Sequence, residues 1–187
     1  MKFSSIALVL TTALCLPGSD ELYRAANQKV ESIANEQAPR GGTVTLSGEE
    51  VNALVRGKIR EKKLEGVRDP RVELSEGGGV WSAVVEFGKL PQLERLRNNF
   101  LLSGVLKGEK PVTTEIEMHS GGGQATIDVK HVTIGETRFE GRLLAFLVES
   151  LILSDFPDAK IGEPFPLKHN VDQINIRPGG LSVTLRK

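Results

Sequence analysis

The sequence has one cysteine and no excess of positive charge, so it lacks the composition of a disulfide-rich or a nucleic-acid-binding protein. Its single cysteine, Cys15, excludes an internal disulfide. The 24 Lys and Arg residues balance 24 Asp and Glu residues, so no net field attracts nucleic acid. Aromatic residues make up only 5% of the chain, and a folded core must therefore rest on Val, Ile and Leu. That aliphatic composition favours β structure.

Motifs for metal binding and catalysis are also absent from the sequence. His119 and His131 lie on opposite arms of a predicted hairpin, on the order of 20 Å apart, and His169 lies in a Pro-rich connection. No Gly-x-Ser-x-Gly elbow occurs, and Ser120 is interpreted as part of a turn. We expect no metal, no cofactor and no catalytic residue. An enzymatic alternative would have to assemble its site from Glu115, Glu117, Asp128 and His131.

The first residues have the pattern of a secretory signal peptide. Lys2 supplies a positive charge, residues 6–16 are mostly apolar, and Pro17 ends the run. The run is too short to cross a bilayer, so we expect a signal peptide over residues 1–19 and a periplasmic or extracellular protein. A lipid anchor on Cys15 is the alternative, although Leu14 stands where that chemistry prefers a small residue. Cleavage is expected near Ala13, Cys15 or Ser19.

Residues 20–187 are predicted to form a single domain that begins with two helices. The first starts near Ser19, with apolar residues at spacings of three and four, and extends toward Pro39. A short strand with Val44 and Leu46 follows, and Ser47 to Glu50 form a capping box. The apolar face of the second helix is expected to be Val51, Leu54, Val55 and Ile59.

The far end of that second helix is strongly basic. A cluster there complements the helix dipole, or it contacts anionic lipid headgroups at a membrane surface. The residues are Arg56, Lys58, Arg60, Lys62 and Lys63.

Three glycine-containing turns, near residues 77–79, 121–123 and 178–180, separate segments in which apolar and polar residues alternate. This pattern predicts three hairpins, and in the second the strand phase is either kept or shifted by a bulge near His131. Pro91 opens a predicted short helix. The expected fold class is α+β, with a curved antiparallel β-sheet whose one apolar face is covered by amphipathic and apolar α-helices.

Residues 143–153 are apolar on almost every side. A helix of this composition must be enclosed or must face an apolar partner. Together with a sheet that lacks large aromatic side chains, it indicates a hydrophobic groove.

The order of elements resembles that of exported bacterial tubular lipid-binding (TULIP)-like proteins. The resemblance rests on the strand and capped helix of residues 44–54, on residues 108–112 before the central hairpin, on the helix from Gly141, and on the closing hairpin of residues 171–185. It implies a strongly curved sheet around helices with a cavity for acyl chains.

These features predict a non-enzymatic exported protein that binds or carries a lipid-like ligand between the sheet and the helix of residues 141–154. The alternative is a cell-envelope interaction or assembly protein with a filled core, no ligand, and a sheet edge that recruits a protein partner. Candidate ligand-binding residues are Trp81, Val85, Phe87, Ile116, Met118, Ile127, Val129, Phe146, Leu147 and Leu151.

Overall fold

A computed structural model of the chain describes residues 18–90, 94, 102–144 and 161–187. The predicted α+β class is confirmed, with antiparallel sheets throughout these ranges. A single turn of 3-10 helix follows β3, and residues 141–144 are helical. The main elements are α1 (Ser19–Ala34), β1 (Thr43–Ser47), α2 (Gly48–Glu61), β2 (Val67–Ser75), β3 (Gly78–Glu86), β4 (Glu109–Gly121), β5 (Gln124–Ile134), β6 (Thr137–Phe139), β7 (Phe165–Pro166), β8 (Val171–Arg177) and β9 (Gly180–Leu185).

The strands are divided between two sheets, whereas the sequence pattern suggested one. The larger sheet has six strands in the order β2-β3-β4-β5-β6, with β7 also pairing with β5. The smaller sheet has three strands in the order β1-β9-β8. Consequently β1 pairs with a strand from the opposite end of the chain.

The three predicted hairpins are confirmed. Gly122 and Gly123 form the β4–β5 turn with φ angles of 60° and 75°, the left-handed pair that a two-residue turn needs. The β2–β3 turn is shorter than predicted, because Gly78 already belongs to β3. A Cβ at Gly78 would lie 2.2 Å from the carbonyl oxygen of Ile116 on β4, so this strand position requires glycine.

The predicted capping box at the start of α2 is confirmed. The Ser47 hydroxyl accepts a hydrogen bond from the Glu50 backbone N–H at 3.2 Å, and the Glu50 carboxylate accepts one from the Ser47 N–H at 2.8 Å. Lys29 of α1 also donates to Glu50, at 2.6 Å. The same carboxylate therefore fixes the end of β1, the start of α2 and the position of α1.

The buried side of α2 differs from the predicted apolar face. Ala53 and Gly57 are buried, whereas the four predicted residues are only half-buried. The reason is the close approach of α1, since a Cβ at Gly57 would lie 2.2 Å from the ring of Tyr23. Helix α1 itself ends at Ala34, before the predicted Pro39, and Glu36 follows with a φ of 55°.

Hairpin tips of the larger sheet bind the free edge of β8. The Ser120 hydroxyl accepts a hydrogen bond from the Ile174 N–H at 2.8 Å and donates one to the Ile174 carbonyl at 2.7 Å. Ser120 therefore joins two sheets, and its interpretation as a turn residue is incomplete. The two turns add the bonds Gly77 N–H to Ile176 C=O, at 3.0 Å, and Gly123 N–H to Asp172 C=O, at 2.8 Å.

The free edge of β2 is closed by a side chain from α2. The Asn52 carboxamide accepts from the Val72 N–H and donates to the Val72 carbonyl, each at 2.8 Å. It also donates to the Gly48 carbonyl at 2.8 Å. Asn52 thus takes the place of a neighbouring strand at this point of the edge.

We expect Asn52→Ala to lower the free energy of unfolding by about 1–3 kcal/mol, because the half-buried Val72 backbone loses both partners. Urea denaturation measures the change. Asn27→Ala is the matched control, since Asn27 bonds only the exposed Glu31 one helical turn away, and it should cost less than about 0.5 kcal/mol. Equal losses in the two variants would contradict the role of Asn52 at the edge.

The charge of Glu50 makes a pH-dependent contribution. Burial alone would raise its pKa, but the hydrogen bonds from Lys29 and Ser47 together hold the pKa below 4.5, its ordinary value. A lowered pKa stabilises the fold above the ordinary pKa, and the effect is lost as the pH falls through the lowered value.

Glu50→Gln keeps an acceptor for the Ser47 N–H and removes only the charge. We expect it to destabilise the fold by less than about 1 kcal/mol at neutral pH. The difference from the wild type should shrink as the pH falls below 4.5. Thermal unfolding at several pH values measures it, and a difference that grows on acidification would contradict the assignment.

Candidate functional site

One face of the larger sheet, here called the inner face, carries the apolar side chains of β3, β4 and β5. The pairing sets this face, because Ala83 lies opposite Val112, and Val112 lies opposite Ile134 on the next strand. Phe87 follows in the 3-10 turn after β3. The predicted ligand-binding residues that belong to the inner face are Trp81, Val85, Ile116, Met118, Ile127 and Val129.

The half of the inner face near β3 is filled by protein. Val85 and Phe87 are each only 4% exposed, in a cluster that includes Leu102, Leu106 and Phe139. The half-buried Trp81 packs against this cluster. In the described structure these three predicted residues therefore belong to the hydrophobic core.

The other half of the inner face, toward the β4–β5 turn, contains buried and half-buried apolar residues, with Ala125 2% and Val129 8% exposed. Ile116, Met118 and Ile127, here called the apolar strip, are half-buried. Met118 and Ile127 lie directly opposite each other on β4 and β5. Neither belongs to a core cluster of the described residues, whereas Ile116 packs against Val129 and Leu144.

The chain leaves and returns beside this strip. Leu144 is buried against Val129 at the start of the helical residues 141–144. Further along, the Gly162 N–H donates to the Ile127 carbonyl at 2.9 Å. Two large apolar side chains next to these contacts are exposed, Leu143 by 37% and Ile161 by 39%.

The predicted apolar helix of residues 143–153 lies mostly outside the described residues. So do the three candidate residues that it carries, Phe146, Leu147 and Leu151, and the helix predicted from Pro91. Residues 1–17, with Cys15 and most of the predicted signal peptide, also lie outside. Among the helices that the structure describes, none has the length and apolar character needed to span a membrane.

The opposite, outer face of β4 and β5 brings together the residues of the enzymatic alternative. A bulge is present near His131, one of the two possibilities that the sequence left open: Glu115 pairs with His131 and Ile116 with Val129, so Lys130 is the extra residue. Glu115 Oε2 lies 3.5 Å from His131 Nδ1, a buried atom without a hydrogen-bond partner in the described ranges. Glu117 lies opposite Asp128 and pairs with Lys130 at 2.7 Å.

This outer face does not form a metal centre. His119 lies opposite Thr126 near the turn. It is about 13 Å along β4 from Glu115, the residue that pairs with His131. No cluster of three or more His, Cys, Asp or Glu side chains suited to a metal ion occurs in residues 18–90, 102–144 and 161–187. What remains is the Glu115 carboxylate beside the His131 imidazole, next to the Glu117–Lys130 ion pair.

Ion pairs within the protein involve Lys58 and Arg60 of the predicted membrane-surface cluster. Lys58 Nζ lies 2.9 Å from Glu61, and Arg60 lies 3.2 Å from Asp20. The hydrogen bond to Glu61 raises the pKa of Lys58. These contacts favour a structural role at the end of α2 for both. The other members of the cluster are Arg56, Lys62 and Lys63.

A polar hollow that the sequence analysis did not identify lies on the exposed face of the smaller sheet. Its volume is about 650 Å³. The sequence signal is the alternation of hydroxyl and aliphatic residues in β1 and β9. Thr43, Thr45, Ser182 and Thr184 are the hydroxyl residues of those strands among its lining. Its lining is polar, in contrast to the apolar strip.

We expect Ile127→Ala to cost much less stability than Ile134→Ala, although both replace isoleucine on the inner face of β5. Ile134 is 4% exposed within a core cluster, so its truncation should cost about 2–5 kcal/mol. Ile127→Ala should cost about 1 kcal/mol, since Ile127 is only half-buried and its truncation removes less buried apolar area. Denaturant unfolding of lipid-free protein measures both, and similar losses would mean that the strip is fully covered.

Comparisons with protein-family models, with curated proteins and with solved structures find no match for the chain.

Proposed function

We propose that the protein is an exported, non-enzymatic carrier that holds a lipid-like ligand against the inner face of the larger sheet. The ligand lies beside the helix that begins at Gly141. One observation carries the proposal: the cross-strand pair Met118–Ile127 is apolar and half-buried, and it lies outside the core clusters of the described residues. This pair offers apolar surface that the core clusters of the described residues do not include.

The chemistry of the inner face supports an acyl chain as the occupant. On this face of β4 and β5 the side chains between Val112 and Ser120, and those opposite them, carry no charge. Each buried methylene group contributes about 0.8 kcal/mol, so affinity comes from contact area with little polar selection.

Export and the TULIP-like resemblance are parts of the same proposal and rest on the sequence alone. A carrier of insoluble lipid works between membranes, which suits a protein with a signal peptide. The basic cluster on α2 would serve for brief contact with anionic headgroups.

We expect Met118→Asp and Ile127→Asp each to weaken binding of a fluorescent long-chain fatty acid by about tenfold or more, because the carboxylate would have to be desolvated against the acyl chain. Fluorescence titration of the purified protein measures the affinity. Native mass spectrometry of protein isolated from a bacterial envelope, followed by organic extraction, identifies lipids that are bound already.

His119→Asp and Thr126→Asp are the matched controls. This pair is the next one along the same two strands, on the outer face, so the same charge should leave binding unchanged. Equal losses for both pairs would show that the sheet, rather than the strip, is being perturbed. A protein that carries no lipid and does not bind the probe would overturn the proposal in favour of an envelope assembly protein with a filled core.

A further inference from the structure

The free edge of β1 differs from the edges of β2 and β8. The β2 edge is bonded by Asn52, the β8 edge is bonded by hairpin tips, and the outer side of β5 is covered by β6 and β7. Strand β1 pairs with β9 on one side, and in the described ranges no strand pairs with its other side. It is therefore an open edge.

The hydrogen-bond pattern identifies which groups face outward. The Leu185 N–H donates to the Gly42 carbonyl and the Gly48 N–H donates to the Gly179 carbonyl, at 2.9 and 2.7 Å. Along an antiparallel strand, the backbone groups of alternate residues bond to the same neighbouring strand. The backbone N–H and C=O groups of the even-numbered residues of β1 therefore face β9. The backbone groups of Thr43 and Thr45 consequently point away from the sheet.

The open edge also lacks the features that usually prevent strand addition. Protected edges carry charged residues, proline or a bulge. Strand β2 has all three: Arg68, Asp69, Pro70 and Arg71 surround a break in its register. Strand β1 consists of Thr, Val, Thr, Leu and Ser, with neither charge nor proline. Nothing in its composition opposes a further strand.

The pairing of β1 with β9 indicates which kind of strand can pair with the open edge. On β9, Leu181, Ser182, Val183 and Thr184 place hydroxyl residues opposite hydroxyl residues and aliphatic residues opposite aliphatic residues of β1. Strand β1 has the same alternation as β9, so another β1 meets the same requirement at the open edge. We propose that two copies of the protein pair antiparallel through β1, which joins their smaller sheets into one continuous sheet.

The capping box selects the register of this pairing. Glu50 already binds the N–H of Ser47, which leaves Thr43 and Thr45 as the residues with both backbone groups free. A two-fold axis at Val44 forms two equivalent pairs, in each of which Thr43 of one copy lies opposite Thr45 of the other. The pairing then makes about four main-chain hydrogen bonds and two cross-strand threonine pairs, which are favourable in sheets.

Charge substitutions test both the pairing and its register. We expect the wild type to be a dimer in sedimentation equilibrium. The double substitution Thr43→Lys with Thr45→Lys places like charges opposite each other and should weaken association by about tenfold or more. Thr43→Lys with Thr45→Glu places opposite charges there and should keep the dimer. Thr184→Lys is the control, because it adds a charge to the same exposed face away from the edge.

Amide hydrogen exchange gives an independent measurement. The Thr43 and Thr45 amides should exchange rapidly in dilute protein and slowly when it is concentrated, whereas the Val44 and Leu46 amides, bonded to β9, should be slow throughout. A wild type that stays monomeric, or Thr43 and Thr45 amides that exchange at the same rate at every concentration, overturns the proposal. So does a dimer that the two lysines leave intact. None of these results depends on lipid binding.

Discussion

The hydrogen bonds between Ser120 and Ile174 are the contact on which the arrangement of the two sheets depends. Through them, and through the bonds from Gly77 and Gly123, the turns of the larger sheet close the edge of β8. The contact is made mainly by backbone groups, which have a fixed spacing, so the two sheets meet in a defined register. A purely apolar contact would tolerate sliding, since dispersion forces have little directional preference.

This joint also bounds the apolar strip on one side. The core cluster fills the inner face around Val85 and Phe87, and the smaller sheet meets the far end of β4 at Ser120. The apolar strip lies between these two fixed regions. If the strip holds a ligand as proposed, rigid flanks would reduce the conformational entropy lost on binding, which is the general advantage of a pre-organised site.

Sequence reasoning succeeded where structure is determined locally. The three hairpins and the capping box follow from turn residues and alternation within a few positions, and all are present. The division into two sheets was not predicted. The contact between the sheets is made by backbone groups of β8, and no pattern of side chains in the sequence marks which backbone groups make such a contact. The buried side of α2 was missed for a related reason: Gly57 is buried by Tyr23, a residue that only the folded structure places there. For the candidate site, alternation identified which residues share the inner face. Which of them belong to a core cluster could be seen only from the packing in the folded structure.

The pairing of β1 with β9 has a consequence for the order of folding. The two hairpins of the larger sheet close over short loops, whereas Thr43 pairs with Thr184, which closes a loop of roughly 140 residues, and such non-local contacts form slowly. A chain emerging from the ribosome can complete the β2–β3 and β4–β5 hairpins early, but β1 has to wait for the last strand. Until then both edges of an uncharged strand are exposed, so the newly made chain is most vulnerable to premature association at the segment that gains its partner last.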